Sequence, residues 1–546
     1  MLAPFPILWY AIAIDYSSWE VTYPMKTFNT TGACVPEKNY MVDLSSRLDQ
    51  IKAMVDAGAY FTINRARQYG KTTTLTALES YLQNQYTVLS LDFQGISGGA
   101  FETEGYFVQA LCRAVIDAKE MMDADIPDQF VAEFSALNAK EPDRVKLDDI
   151  IRVFTKWCKE ASKSVILIID EVDSATNNQV FLDFLAQLRD RYLRRETRGV
   201  PTFHSVILAG VTDVKNLKRK LRPEEAHKFN SPWNIAADFN VDMSFSASDI
   251  SGMLSAYEAD HHTGMDVDEV AQTIHDYTSG YPFLVSRICQ LLDADAVLPW
   301  NADGISEIVR RILMEKNTLF DSLMGKVQDN DKLRAILWKI LFAGETVSYN
   351  PDETSISDAE MYGLVYNNHG TVKVSNRIFE TRIYNFFLSQ KELDSPTYNA
   401  GAGEKKAFII NGRLDMDSVL EHYTIVYNDL YRNETEEISE AQGRLRFLLF
   451  IRPIINGTGN YYIETQTLDG RRMDLVIDYM GERFVIELKI WRGNAYNERG
   501  EDQLIGYLKD FHLSKGYMLS YNFNKNKQIG MRRIMIDGRE LVEAVV

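Results

Sequence analysis

The sequence predicts an α/β chain: a parallel sheet with crossover helices, then a helical region, then a second and smaller α/β module. Three observations predict it. SVILIID (164–170) and SVILAGV (205–211) are unbroken aliphatic runs, the pattern of strands covered on both faces. Such runs alternate with helical patterns between residues 25 and 240, as a sheet with crossover connections requires. Finally, RRMDLVIDYMGERFVIELKIW (471–491) carries a further strand pair, set apart by the Gly- and Pro-bearing stretch LDSPTYNAGAGEKK (393–406).

Each element follows in chain order. AYFTIN (59–64) reads as a strand, GKTTTLTALESYL as the helix behind it, and TVLSLDF (87–93) as a second strand. Three helical patterns fill 101–162 before the two aliphatic strands complete a sheet domain at 25–240. From SFSASDISGMLSAYEADH the pattern is helical to about 316, with a Gly/Pro turn at TSGYPFLV, and reads as a helical lid, 241–316. Helix, helix, a hairpin around Asn367–Gly370 and a last helix make 317–392 a winged helix. Residues 393–405 read as a linker, and 406–546 as the second α/β module.

Composition bounds the function. The 546 residues are 45% hydrophobic and 25% charged, enough for three or four cores at roughly 150 residues each. Disorder, collagen and coiled coil are excluded as the main description. A formal net charge of −18 rules out a global basic field, so nucleic-acid contact must be local. Cys34, Cys112, Cys158 and Cys289 form no CxxC pair, which argues against structural zinc or a disulfide framework and fits a reducing cytoplasm. Pro4 to Ile14 is too short an apolar stretch to span a bilayer, and no Lys or Arg precedes it, so neither a membrane nor secretion is expected. Met25 opens a segment that looks like a natural beginning, and 1–24 reads as an extension without assigned function.

Gly70-Lys71-Thr72, after a strand and opening a helix, is the second half of a P-loop. In that loop backbone N–H groups hold phosphates, the Lys reaches the β- and γ-phosphates and the Thr hydroxyl ligates Mg²⁺. The Gly expected five residues before Gly70 is Arg65. About a hundred residues on, VILIIDEVD puts Asp170 and Glu171 at the end of a buried strand, the Walker B pattern: Asp170 holds Mg²⁺ and Glu171 activates the attacking water. Asp213, or Thr212 beside it, ends SVILAGV where a polar residue can sense the γ-phosphate; an ordinary strand end is the equal alternative. Arg287, after Gly280-Tyr281-Pro282, is either a lid cation for the phosphates or a solvated helix Arg.

NRARQYGKTTTL, VILIIDEVD and the GYPFLV turn resemble the bacterial AAA-ATPase-like family, in which Arg replaces the first P-loop Gly and Arg-Pro-Arg-(Gln/Arg)-(Phe/Tyr)-Gly-Lys is usual. Ala66 stands where that family has Pro. The resemblance covers about 25–390 and implies an additional-strand P-loop ATPase core with lid and winged helix, with Arg65, Arg67, Gly70, Lys71, Thr72 and Thr73 around the nucleotide.

The second site lies at 471–491. A hairpin turning on Met480-Gly481 sets Asp474 opposite Glu487. Strand alternation then puts Asp474, Val476, Asp478, Arg483, Val485, Glu487 and Lys489 on one face, and Leu475, Ile477, Tyr479, Phe484, Ile486, Leu488 and Ile490 on the core face. Two carboxylates and a Lys on one side suit a hard divalent cation and a charged phosphoryl transition state. Exposed cross-strand charge pairs on a wet sheet face are the bland alternative. Glu440 (or Glu437, one turn away) lies on an upstream helix, and Gln503 and Tyr507 one turn apart on a downstream one.

Helix Glu, strand Asp, strand Glu-x-Lys, helix Gln resembles the PD-(D/E)XK nuclease superfamily, over about 406–546. It implies a restriction-endonuclease-like fold with Asp474 and Glu487 holding Mg²⁺ and Glu440, Lys489 and Gln503 in support. Residues 401–546 are close to neutral, and Lys525, Lys527, Arg532 and Arg533 near Tyr517, Tyr521 and Phe523 suit a nucleic-acid groove or an ordinary solvated surface. The expected protein is a cytoplasmic ATP-binding, ATP-hydrolysing regulator fused to a Mg²⁺-dependent nuclease. Its expected partners are nucleic acid, DNA ahead of RNA, and copies of itself in a homo-oligomer. The alternative is a nucleotide-gated DNA- or protein-binding switch whose last module is catalytically silent.

Overall fold

A computed structural model describes residues 25–122, 124–211, 232–343, 345–392, 395–432, 438–456, 458–466, 472–480, 482–491, 494–510, 513–524 and 527–546. The first sheet holds β1 (Tyr60–Asn64), β2 (Thr87–Asp92), β3 (Val165–Asp170) and β4 (Ser205–Gly210), all parallel, in the order β1-β4-β3-β2. Every residue of β3 and β4 is buried, as unbroken aliphatic strands between two helical layers must be. Ile166 and Ile168 pack with α1 (Ser45–Asp56) and α2 (Lys71–Leu82). Leu167 and Ile169 face the other way, toward α3 (Glu104–Met122), α4 (Asp128–Asn138), α5 (Leu147–Glu160) and α6 (Gln179–Arg198). β4 separates β1 from β3, the inserted strand that the P-loop resemblance implies, and a bridge from Phe61 to Ala237 extends the sheet beyond β1.

The helical region is α7 (Ala247–His261), α8 (Val267–Thr278), α9 (Pro282–Asp293) and α10 (Ala302–Met314). The next unit begins with α11 (Thr318–Asp329) and then has the helix, helix, hairpin, helix order read from the sequence: α12 (Asp331–Trp338), α13 (Thr354–Met361), β5 (Val365–Asn368), β6 (Thr371–Val374) and α14 (Arg377–Glu392). Asn368 pairs with Thr371, and the two residues between them, His369 (φ 49°) and Gly370 (φ 86°), both take the left-handed conformation that a two-residue turn demands.

The linker expectation is corrected. Pro396–Gly403 is a helix, α15, begun by Pro and capped by the Ser395 hydroxyl, which accepts from Tyr398 N at 3.3 Å. Thr397 is fully buried and bonds the Tyr431 hydroxyl at 2.7 Å. Gly401 lies so close to α17 (Glu440–Ile455) that an added Cβ would stand 2.1 Å from the Phe450 carbonyl oxygen. The small residues that suggest a flexible coil are there to let two helices touch.

After α15 come a small hairpin of β7 (Ile409–Ile410) and β8 (Arg413–Leu414), then α16 (Met416–Tyr431) and α17. A separate mixed sheet completes the chain: β9 (Gly459–Gln466), β10 (Arg472–Tyr479), β11 (Glu482–Ile490), β12 (Lys515–Tyr521), β13 (Gly530–Ile536) and β14 (Arg539–Val545), ordered β13-β14-β12-β11-β10-β9. α18 (Asn494–Asp510) carries the crossover that makes β12 parallel to β11. Leu475 pairs with Ile486 and Asp478 with Arg483, the register expected for a turn after Met480. The bland alternative, exposed charge pairs on a wet sheet face, does not hold at Glu487, because Val476 is 2% exposed and Val485 and Glu487 are 0%. A hairpin read alone has no neighbour on that face; α18 returns over it and covers it.

Candidate functional site

β1 ends at Asn64, and six residues later the chain enters α2 through Gly70, whose φ of 76° only glycine adopts freely. No side chain caps α2, so its first N–H groups open toward the loop. Lys71 is 7% exposed and donates to the carbonyls of Arg65 and Ala66, both at 3.0 Å. Thr72 donates its hydroxyl to Asp170 Oδ2 at 2.9 Å, which brings the two halves of the sequence motif together across 98 residues. The other oxygen, Oδ1, accepts Glu171 N–H at 2.8 Å. Glu171 turns left-handed (φ 52°), a conformation uncommon outside glycine that aims it off the strand end.

Burial governs the charges. It lowers the Lys71 ammonium against the pull of Glu171, Asp173 and Asp170. It raises Asp170 and Glu171 above the ordinary carboxylate range, against the pull of hydrogen bonds on the first and of Lys71 on the second. An ammonium, a hydroxyl and two carboxylates at a helix N-terminus form a donor set that fits a phosphate chain with a hard divalent cation.

A cavity of 490 Å³ opens beside these groups. One wall is Gly70–Thr74 with Gln94 and Glu171; the other is built from Asn29–Cys34, Met41 and Val42 together with Phe245, Met253, Pro282 and Phe283 from the helical region. Cys34 N–H donates to Thr73 Oγ1 at 3.1 Å, which ties the N-terminal segment to the loop. Sequence reasoning missed this segment and also Asp173, whose carboxylate accepts Val211 N–H at 2.6 Å and fastens the end of β4 to β3. The signals were the apolar Met41-Val42 pair ahead of α1 and the second aspartate of Asp170-Glu171-Val172-Asp173.

Two residues weighed as nucleotide ligands, Arg65 and Arg287, are bonded to other partners in this structure. Arg65 donates to Val241 O at 2.9 Å and lies over the Phe239 ring at 5.0 Å, fastening the segment that follows the Ala237 bridge. Arg287 forms a two-pronged pair with Glu315 (2.6 and 3.3 Å) and bonds Gln290 at 2.7 Å, inside the helical region. Both are explained by neighbours that no local motif reveals. Arg67 is exposed, and its carbonyl accepts the Tyr281 hydroxyl. Asp213 and Thr212 lie outside the described residues.

In the second module Glu487 is fully buried and Lys489 Nζ stands 2.8 Å from its Oε1. α18 covers this face so closely that a Cβ on Gly500 would stand 3.2 Å from Lys489 Cε. Gln503, on the same helix, donates to the Tyr507 hydroxyl. Asp474 lies on β10 one step beyond the Leu475–Ile486 pair, the step that faces Glu487; its side chain is outside the described residues. Glu440 opens α17, which packs through Gly443 onto the Tyr521 ring, so its helix covers the opposite face of the sheet. Glu437 is outside the described residues. On the Glu487 face, the buried Glu543 accepts from Ser520 at 2.5 Å and from Arg532, and Arg532 bonds Glu501 of α18 at 3.0 Å. Among the described residues no three His, Cys, Asp or Glu side chains converge as a metal site, and no helix is long and apolar enough to cross a membrane.

A family model described as an AAA-like domain matches residues 37–385. No curated protein matches the chain. Among solved structures, the Walker-type ATPase PABY2304 of Pyrococcus abyssi is 12% identical with a TM-score of 0.45, covering 65% of this chain and 99% of its own. Cdc6p from Pyrobaculum aerophilum is 12% identical (TM-score 0.32, 66% and 97% covered). The ORC2 protein of Aeropyrum pernix, in ADPNP and ADP complexes, is 11% identical (TM-score 0.36, 66% and 97% covered).

Proposed function

Because the chain belongs to the AAA-like domain family, we propose that it binds ATP in the cavity beside Lys71, hydrolyses it, and uses the nucleotide state to regulate a nuclease in its last module. The observation that carries the first part is the 2.9 Å contact of Thr72 with Asp170 beside the buried Lys71. Lys71 would exchange its two carbonyl partners for phosphate oxygens, and the open N–H groups of α2 would hold the same charge. Thr72 and Asp170 would hold Mg²⁺, which screens the phosphate charge when bound. Glu171 would take the proton of the attacking water. Met41, Val42, Phe245 and Phe283 supply the apolar walls an adenine ring fits.

For the last module, the support is the ordered set of Asp474, Glu487 and Lys489 on one sheet with Gln503 on the crossover helix that covers it, and Glu440 opening the helix across the sheet. Asp474 and Glu487 would hold Mg²⁺ and Lys489 would offset phosphoryl charge during cleavage of nucleic acid, DNA ahead of RNA. The four free cysteines suit a reducing cytoplasm. The second reading, a catalytically silent module that only binds DNA or protein, is favoured by one observation: Glu487 is wholly buried and already paired with Lys489.

The test is ATP turnover together with cleavage of labelled single- and double-stranded DNA and RNA in Mg²⁺, comparing wild type with Glu171→Gln and Glu487→Ala. ATP turnover lost in the first variant and nucleic-acid cleavage lost in the second support the reading. Nucleotide-dependent association without cleavage selects the silent module, and absence of ATP binding removes the whole proposal.

A further inference from the structure

We infer that nucleotide occupancy of the P-loop is passed to the last module through one helix, α14, and that the module in turn sets the affinity of the P-loop for ATP. This regulation rests on the ATP-binding reading above.

α14 touches both ends of the path. In its first half Phe379 packs edge-on against Tyr281, with ring centroids 5.3 Å apart. Tyr281 donates its hydroxyl to the Arg67 carbonyl and stands edge-on to Tyr69 at 4.8 Å, and both of those residues belong to the P-loop. Gly363, just ahead of β5, makes a second contact: a Cβ there would stand 2.8 Å from Ala66 Cβ. The carbonyls of Arg65 and Ala66 are the ones Lys71 must release to reach an anion. The stretch 65–69 is therefore where ligand and winged helix meet.

In its second half α14 holds the last module. Glu392 pairs with Arg452 of α17 at 2.6 Å, and Asn385 accepts the Tyr461 hydroxyl of β9 at 2.7 Å. From Phe379 to Glu392 the helix runs about 20 Å, without a Pro or Gly to bend it. A displacement at Phe379 thus arrives at α17 as a rigid-body movement. A separate grip ties the module to the helical region: Ser306 of α10 donates to Asp478 of β10 at 3.2 Å, and Arg483 holds the same carboxylate at 3.2 Å. The module therefore bridges two units, and a change in the angle between them must loosen one grip.

Binding linkage is reciprocal, so the path is testable from its far end. The dissociation constant of a fluorescent ATP analogue is measured on the full chain for wild type, Arg452→Ala and Tyr461→Phe, the last of which deletes one hydroxyl and leaves packing intact. The expected result is a shift of about 5-fold or more in the same direction in both variants, together with a nucleotide-dependent change in hydrogen exchange of α17 and β9 in wild type. Equal affinities with exchange indifferent to nucleotide overturn the inference while leaving ATP binding in place. A shift in Arg452→Ala alone, with exchange unchanged, overturns it as a local folding defect. If wild type fails to bind the analogue, the ATP reading itself falls, and the inference with it.

Discussion

Glu171 carries the sharpest expectation at the scale of single residues. Glu171→Gln keeps the size and the αL turn but removes the base, so ATP turnover should fall about 10²–10⁴-fold while the dissociation constant for ATP stays within a few-fold. Rapid-quench kinetics with a separate binding titration read the two, and loss of binding with turnover intact would count against the role. Burial also fixes the sign of the pH response. Glu171 must be ionised to accept a proton, and since burial raises its pKa, turnover should be lost on acidification at a higher pH than an ordinary glutamate gives. Lys71 shifts the other way: burial lowers it, so nucleotide affinity should begin to fall at a lower alkaline pH than an ordinary lysine dictates. A profile flat to the usual carboxylate and lysine ranges would refute both. At this scale the placement of Gly70, Lys71, Thr72 and Asp170 was legible, because each belongs to a local motif between a strand and a helix or at a strand end. The sequence could not reveal the partners of Arg65 and Arg287, at 239–241 and 315, because tertiary packing chooses them.

At the scale of elements, the strand runs, the wing and the Asp478–Arg483 register were all readable, because strand period and turn chemistry are local properties. What could not be read was which faces other elements return to cover, as the buried Glu487 face and the helical 396–403 segment show. The latter makes a clear experiment. If 393–405 were a free coil, Gly401→Ala would be neutral or slightly stabilising. With α15 against α17, the added methyl meets the Phe450 carbonyl, and the substitution should destabilise the chain by about 1–3 kcal/mol in chemical denaturation. A neutral result would detach α15 from α17. Gly280 is a second such point, with φ of 70° and a would-be Cβ 2.0 Å from Phe245 O. Gly280→Ala should distort the turn that holds Tyr281 and weaken ATP binding as well as stability.

Across the whole molecule two buried apolar clusters are present, one of them confined to the α3–α6 side of the first sheet. The other runs from Phe28 through the P-loop helix, the helical region and the winged helix to Val546. Domain boundaries read from composition therefore mark changes of architecture more than breaks in cohesion. ATP at a hundred times its dissociation constant should stabilise the fold by about 2.7 kcal/mol. The cluster shared by the P-loop helix and the last module makes this appear as one transition moving to higher temperature, followed by tryptophan fluorescence and circular dichroism together; two transitions, of which ATP moves only one, would show that the last module melts independently. The strand order also sets a clock for synthesis. Among the described residues β1 pairs with β4 and with the bridge at Ala237, so Tyr60 waits for Val206 before its backbone is paired. At 5–20 residues per second, the ribosome takes roughly 7–30 s to supply that partner. During that interval the first strand of the sheet, apolar and unpaired, depends on whatever the cell offers to shield a nascent chain.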